Sequence, residues 1–213
     1  VTSNQPVPIC PEPEKALSIE FIGDSITCAY GVEGLSSYES FKTTTENFMK
    51  SYAYLTAQKL NADYSAVSYS GHGIISGYTS SGEINTDSLI PDCYGLTGKL
   101  SDYAENWNFE TRSHDVVVIN LGTNDSSYVT KDPETRAQEF INGYMDFLKT
   151  VREKNPEVYI ICTLGTMGDE LYEYVAEAVE QYRTDCTESG GWNWFGLAPF
   201  SSYATEKCLR TCG

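Results

Sequence analysis

Val116, Val117, Val118 and Ile119 form an unbroken apolar run that stops at Gly122-Thr123-Asn124-Asp125. A run this short, with no polar residue alternating, suits a strand buried on both faces. Shortly afterwards Pro133 opens a segment in which Phe140, Ile141, Tyr144, Phe147, Leu148 and Val151 recur at three- and four-residue spacing. That spacing sets one apolar stripe along a helix. Parallel strands buried on both faces need helical crossovers, so this pair of patterns points to an α/β sheet.

The rest of the chain repeats the theme. Short strands are expected at Leu17 to Ile22, Tyr64 to Tyr69 and Val158 to Thr163. Helices are expected at Tyr52 to Leu60, with Ala53, Leu55, Ala57 and Leu60 available for packing, and around Leu171 to Tyr182. Leu100 to Trp107 suggests a further short helix. The segments Cys28 to Met49 and Tyr78 to Gly98 lack periodicity and read as loops, the second with a brief helical turn at most. The expected fold class is α/β, a three-layer α/β/α sandwich with a flavodoxin-like, doubly wound parallel sheet. Residues 1–14, with Pro6, Pro8, Pro11 and Pro13, read as an extended leader or linker remnant. Residues 15–213 read as one domain with an atypical tail from about Cys186.

Ligands of open parallel sheets bind beyond the carboxyl ends of the strands. Ser25, Gly71 and Asn124 each follow such an end, so three distant segments converge on one cleft. Ser25, in Gly23-Asp24-Ser25, can present its hydroxyl there as a nucleophile, provided that a base removes its proton. The Ser25 N–H, the Gly71 N–H and the Asn124 side-chain amide would supply donors for a developing oxyanion. The blander readings are a helix cap for Ser25, a plain turn for Gly71 and an Asx-turn for Asn124.

Together these segments resemble the SGNH hydrolases. Gly23-Asp24-Ser25-Ile26-Thr27 resembles the first block of that group, Gly71 the glycine of the second, and Gly122 to Asp125 the third. Within the group the chain is most like the family 2 carbohydrate esterases, on Ile19 to Gly31, Thr44 to Leu60 and Val116 to Asp125. The resemblance implies a serine esterase that removes O-acetyl groups from a plant-wall polysaccharide such as xylan or glucomannan. It assigns Ser25 as nucleophile and Ser25, Gly71 and Asn124 as the oxyanion hole. Asp24 and Asp125 would be supports of the cleft floor. It also implies an upstream β-sandwich domain, to which the proline-rich start would be the junction.

The chain departs from that pattern in its base. The resemblance places a histidine near the C-terminus, whereas this sequence has only His72 and His114. His114 precedes the Val116 strand, and at about 3.3 Å per residue it lies roughly 23 Å from the cleft end. His72, beside Gly71, is the candidate base that distance allows; a local packing role is its alternative. A catalytically impaired carbohydrate-binding module is therefore the competing function. Tyr30, Trp192 and Trp194 are candidate sugar-stacking residues, and packing is the alternative for the tryptophans.

A formal net charge of −16 disfavours nucleic acid and anionic membrane as partners and suits a neutral polysaccharide or oligosaccharide. The acidic residues Glu33, Glu39 and Glu46 are scattered through one loop, so no metal is expected. The absence of a phosphate-loop or dinucleotide fingerprint argues against a nucleotide, and no other cofactor is implied. Seven cysteines suggest an extracellular, oxidising setting, with Cys186, Cys208 and Cys212 placed to clip the tail by disulfides.

Overall fold

The computed structural model describes residues 13–36, 38–99, 102, 104–188 and 195–197. Five parallel strands make one sheet: β1 (Ser18–Gly23), β2 (Asp63–Ser68), β3 (Val116–Asn120), β4 (Tyr159–Thr163) and β5 (Phe195–Leu197). Their order, β2-β1-β3-β4-β5, is the expected doubly wound arrangement. β1 pairs with β2 from Ser18–Asp63 to Gly23–Ser68 and with β3 from Ile19–Val116 to Gly23–Asn120. This register brings the ends of β1, β2 and β3 level, so the loops that follow them open on the same side.

Among the described residues five α-helices accompany the sheet: α1 (Tyr52–Lys59), α2 (Pro91–Tyr94), α3 (Ser126–Val129), α4 (Pro133–Lys154) and α5 (Tyr172–Glu188). Alternation along the strands divides the packing. Ile19 and Phe21 face Ala53 and Ala57 of α1. Ile22, Val117, Ile119 and Ile160 face the α4 stripe of Phe140, Ile141, Tyr144, Phe147, Leu148 and Val151, all buried, together with Val175 and Ala178 of α5. Helices thus cover both faces, which makes three layers.

Three expectations change. In α1 the alanines make the contact, while Leu55 and Leu60 lie 56% and 54% exposed, because a helix set this close to the sheet takes small residues at its contact stripe. The helix suggested over 100–107 does not form among the described residues there; Asn106 bridges Leu96, and the Trp107 N–H is bonded to the Gly95 carbonyl. Among the described residues Cys28, Cys93, Cys162 and Cys186 are thiols rather than disulfides. Cys10, Cys208 and Cys212 lie outside the described residues, as do Trp192 and Trp194. No described helix is long and apolar enough to cross a membrane.

Candidate active site

Strand β1 ends in Gly23 because nothing larger fits. A Cβ there would lie 2.0 Å from Thr27 Oγ1 and 3.2 Å from the Asn120 carbonyl oxygen. The chain can therefore fold Thr27 back under the strand end, where its hydroxyl meets the Tyr52 hydroxyl at 3.0 Å. Asp24 Oδ1 accepts from the Ile26 N–H at 2.9 Å, an Asx-turn across Ser25. The turn closes with Cys28 N–H to Asp24 O (3.0 Å) and Tyr30 N–H to Ser25 O (2.9 Å), and Ala29 adopts the left-handed φ of 56° that this closure needs. Ser25 is half-buried on the crest of this turn.

The second turn follows β2. Gly71 has φ of 79°, and a Cβ added to it would meet nothing within 4 Å, so this glycine borders open space. Its carbonyl accepts from the Tyr78 N–H at 2.8 Å. Ser70 Oγ donates to Glu46 Oε1, which ties this turn to the long loop after Ser25. Among the described residues, neither the Ser25 N–H nor the Gly71 N–H is bonded to a protein acceptor. Unpaired backbone donors are rare except where water or a ligand meets them.

The third turn follows β3 and carries Asn124 and Asp125. Asn124 Nδ2 donates to Asp24 Oδ2 at 3.1 Å and to the His72 carbonyl at 2.8 Å. One side chain therefore holds the first two turns together. As placed, both of its amide hydrogens are engaged, so a bond from it to an oxyanion would be shared with one of these partners. Asp125, fully buried, accepts from the N–H groups of Ile74 (3.0 Å), Ile75 (2.8 Å) and Ser76 (3.0 Å). Gly73 is required by this embrace, since a Cβ there would lie 2.6 Å from Asp125 Oδ2 and 2.0 Å from the Ser76 carbonyl oxygen.

Both floor carboxyls hold their protons unusually well. Burial pushes Asp24 up to about 7, and the neighbouring Asp125 adds to the rise. Burial raises Asp125 to about 6, against three N–H bonds that pull the other way. A floor with suppressed negative charge opposes a developing oxyanion less than two full carboxylates would.

His72 is buried, and its ring nitrogens both have partners: Nδ1 lies 3.1 Å from the Ser70 carbonyl oxygen and Nε2 2.6 Å from Lys99 Nζ. A carbonyl can only accept and an ammonium can only donate, so the proton sits on Nδ1 and the Nε2 lone pair faces Lys99. Burial lowers the pKa of the ring, Lys99 lowers it further, and the Ser70 bond works the other way. The imidazole expected as a base is thus bonded to the Ser70 carbonyl and to Lys99, and the His72 backbone carbonyl accepts from Asn124. His114 lies where its position in the sequence predicts, before β3, with Nε2 2.8 Å from Ser65 Oγ.

Sequence reasoning missed Glu46 and Lys99. Glu46 read as one of several scattered acids, and no local pattern marks Lys99 as a neighbour of His72. Among the described residues no cluster of His, Cys, Asp and Glu is arranged to hold a metal. Tyr30 lines a cavity beside the first turn, with Glu39 and Thr45.

Relatives place this site in context. The chain is 40% identical over 177 residues to the cellulase/esterase CelE of Acetivibrio thermocellus, covering 81% of this chain and 20% of that protein. It is 29% identical over 185 residues to an acetylxylan esterase / glucomannan deacetylase of Cellvibrio japonicus, covering 84% of this chain and 48% of that protein. The chain therefore spans half or less of the curated relatives it matches. Among solved structures it is similar to a family two carbohydrate esterase from Clostridium thermocellum in complex with cellohexaose, with a TM-score of 0.72 and 36% identity, over 90% of this chain and 56% of that one. Residues 21–206 match the GDSL-like Lipase/Acylhydrolase family, and the chain belongs to that family.

Proposed function

We propose that this chain hydrolyses O-acetyl esters on a plant cell-wall polysaccharide such as xylan or glucomannan, through an acetyl-Ser25 intermediate. The observation that carries this reading is the pair of unbonded N–H groups of Ser25 and Gly71 on two adjoining turns that Asn124 ties together. Ser25 Oγ attacks the acetyl carbonyl. The carbonyl oxygen takes up negative charge against the two N–H groups. The sugar oxygen leaves with a proton, and water then releases acetate and restores the serine hydroxyl. The likeness to acetylxylan esterase / glucomannan deacetylase proteins supports the substrate class. An extracellular location belongs to the same proposal.

The base sets the rate. Among the described residues no side chain is hydrogen-bonded to Ser25 Oγ, and the sequence holds no histidine after His114. General acid–base catalysis is worth about 10²–10⁴ in rate, and what the described cleft itself supplies is its preorganised donors. The same observation favours a second reading, a sugar-binding module that retains the esterase cleft. A structure of a related esterase described as having "divergent catalytic and non-catalytic binding functions" supports keeping it. Acetate release from acetylated xylan by wild type and Ser25→Ala separates the two. The esterase reading expects release that the substitution abolishes. Binding of the polysaccharide with no release from either protein selects the binding module.

A further inference from the structure

The loop after the nucleophile turn builds a cavity of about 380 Å³ lined by Tyr30, Gly31, Gly34, Leu35, Ser36, Glu39 and Thr45. That volume falls within the roughly 300–1,000 Å³ of small-ligand sites. The walls are tied at several points. The Glu33 N–H is bonded to the Thr45 carbonyl at 3.2 Å, and the Glu33 carboxylate takes Lys50 Nζ at 2.8 Å and Asn47 Nδ2 at 2.7 Å. Tyr30 is supported by Phe41, with ring centroids 5.3 Å apart and planes inclined at 40°. The cavity borders the turn that carries Ser25, since the Tyr30 N–H is 2.9 Å from the Ser25 carbonyl oxygen.

The lining combines an aromatic ring, a short apolar stretch and a few polar groups. Leu35 and Tyr38 stand 95% and 96% exposed beside it, and Phe41 56%. Its charged lining group is acidic: Glu39, whose Oε1 is 3.3 Å from the Leu35 N–H. Two lysines lie on this loop: Lys50 is paired with Glu33, and Lys42 is exposed, with its carbonyl accepting from the Thr45 N–H and hydroxyl. An anionic ligand would thus meet a carboxylate and a protein of net charge −16. A neutral ring bearing hydroxyls meets an aromatic face and a carboxylate acceptor.

We infer that this cavity is a subsite for a neutral sugar unit adjoining the one that presents its ester to Ser25, and that Tyr30 and Glu39 make the chain prefer unsubstituted over uronate-bearing stretches of polysaccharide. The inference rests on the polysaccharide reading above and deepens it.

Calorimetry with neutral xylo-oligosaccharide, carrying no ester, tests the subsite apart from any hydrolysis. Wild type is expected to bind, Tyr30→Ala to bind at least fivefold more weakly, and Tyr30→Phe, which keeps the ring, to bind like wild type. No binding by wild type, or equal binding by wild type and Tyr30→Ala, overturns the subsite. Glucuronate-substituted oligosaccharide is expected to bind at least threefold more weakly than neutral, and Glu39→Gln to narrow that gap; an unchanged gap overturns the charge argument. Hydrolysis of 4-nitrophenyl acetate by wild type and not by Ser25→Ala reports on the Ser25 reading independently. Loss of that activity with oligosaccharide binding intact sinks esterase chemistry and leaves the subsite standing.

Discussion

The Asn124 amide bridges the Asp24 carboxylate at 3.1 Å and the His72 carbonyl at 2.8 Å, so the turns after β1 and β2 are held by one side chain on the turn after β3. The proposed oxyanion geometry at Ser25 and Gly71 is consequently a property of all three strand ends. Asn124→Asp keeps the shape but sets a carboxylate against Asp24 and a carbonyl. It is expected to lower esterase turnover about 10²-fold or more, the scale of a lost oxyanion-hole group. Steady-state kinetics on 4-nitrophenyl acetate checks this, and turnover within twofold of wild type would refute the bridge's role.

Gly71 and Gly73 make a contrasting pair. An alanine at Gly71 meets no atom within 4 Å and bears only the strain of a φ of 79°, about 1–2 kcal/mol. An alanine at Gly73 collides with the Ser76 carbonyl and the Asp125 carboxylate. Thermal melts are expected to rank Gly73→Ala well below Gly71→Ala in stability, while Gly71→Ala, with its methyl in the cleft, still loses turnover. The reverse ranking would contradict the packing described.

Asp125→Ala leaves the N–H groups of Ile74, Ile75 and Ser76 without their acceptor. At about 1–3 kcal/mol for each buried unpaired donor, a loss of about 3 kcal/mol or more is expected in denaturant unfolding at pH 5. A loss below 1 kcal/mol would show that the loop does not depend on this carboxylate.

Glu20 on β1 is buried, and the Tyr94 hydroxyl donates to its Oε2 at 2.9 Å. Burial raises it from 4.5 to about 7, against the bond from Tyr94. A carboxyl raised on folding binds more protons in the native state than in the unfolded one. Its stabilising contribution is complete below about pH 4.5 and disappears as the pH rises to 7. That change is on the order of 3 kcal/mol. Asp24 and Asp125 are raised in the same direction and deepen the fall. Unfolding free energy is expected to decrease from pH 5 to pH 8, and to decrease less in Glu20→Gln. Parallel curves for the two proteins would exclude Glu20 as a source.

The parts of this molecule that were legible in the sequence are those set by local pattern. The Val116 to Ile119 run is continuous and the Phe140 to Val151 stripe is periodic, and both sit where the pattern puts them. The turn residues of Gly23-Asp24-Ser25 are also local chemistry. The contacts that complete the site are not local. Asp125 reaches Ile74 across 51 positions, Asn124 reaches Asp24 across 100, and Lys99 meets His72 across 27. Pairings at such separations follow from strand register and loop path, which carry no periodicity. Glu20 eluded the pattern for a related reason: a buried acid in a strand becomes intelligible only once Tyr94 is beside it.

Acylation of Ser25 is the step from which the proposed ester hydrolysis follows. Incubation with 4-nitrophenyl acetate, quenching and peptide mass spectrometry read this directly. An acetyl group on Ser25, absent from Ser25→Ala, is the predicted result. Ester turnover with no label on Ser25, or with the label on another residue such as Cys28, would contradict it.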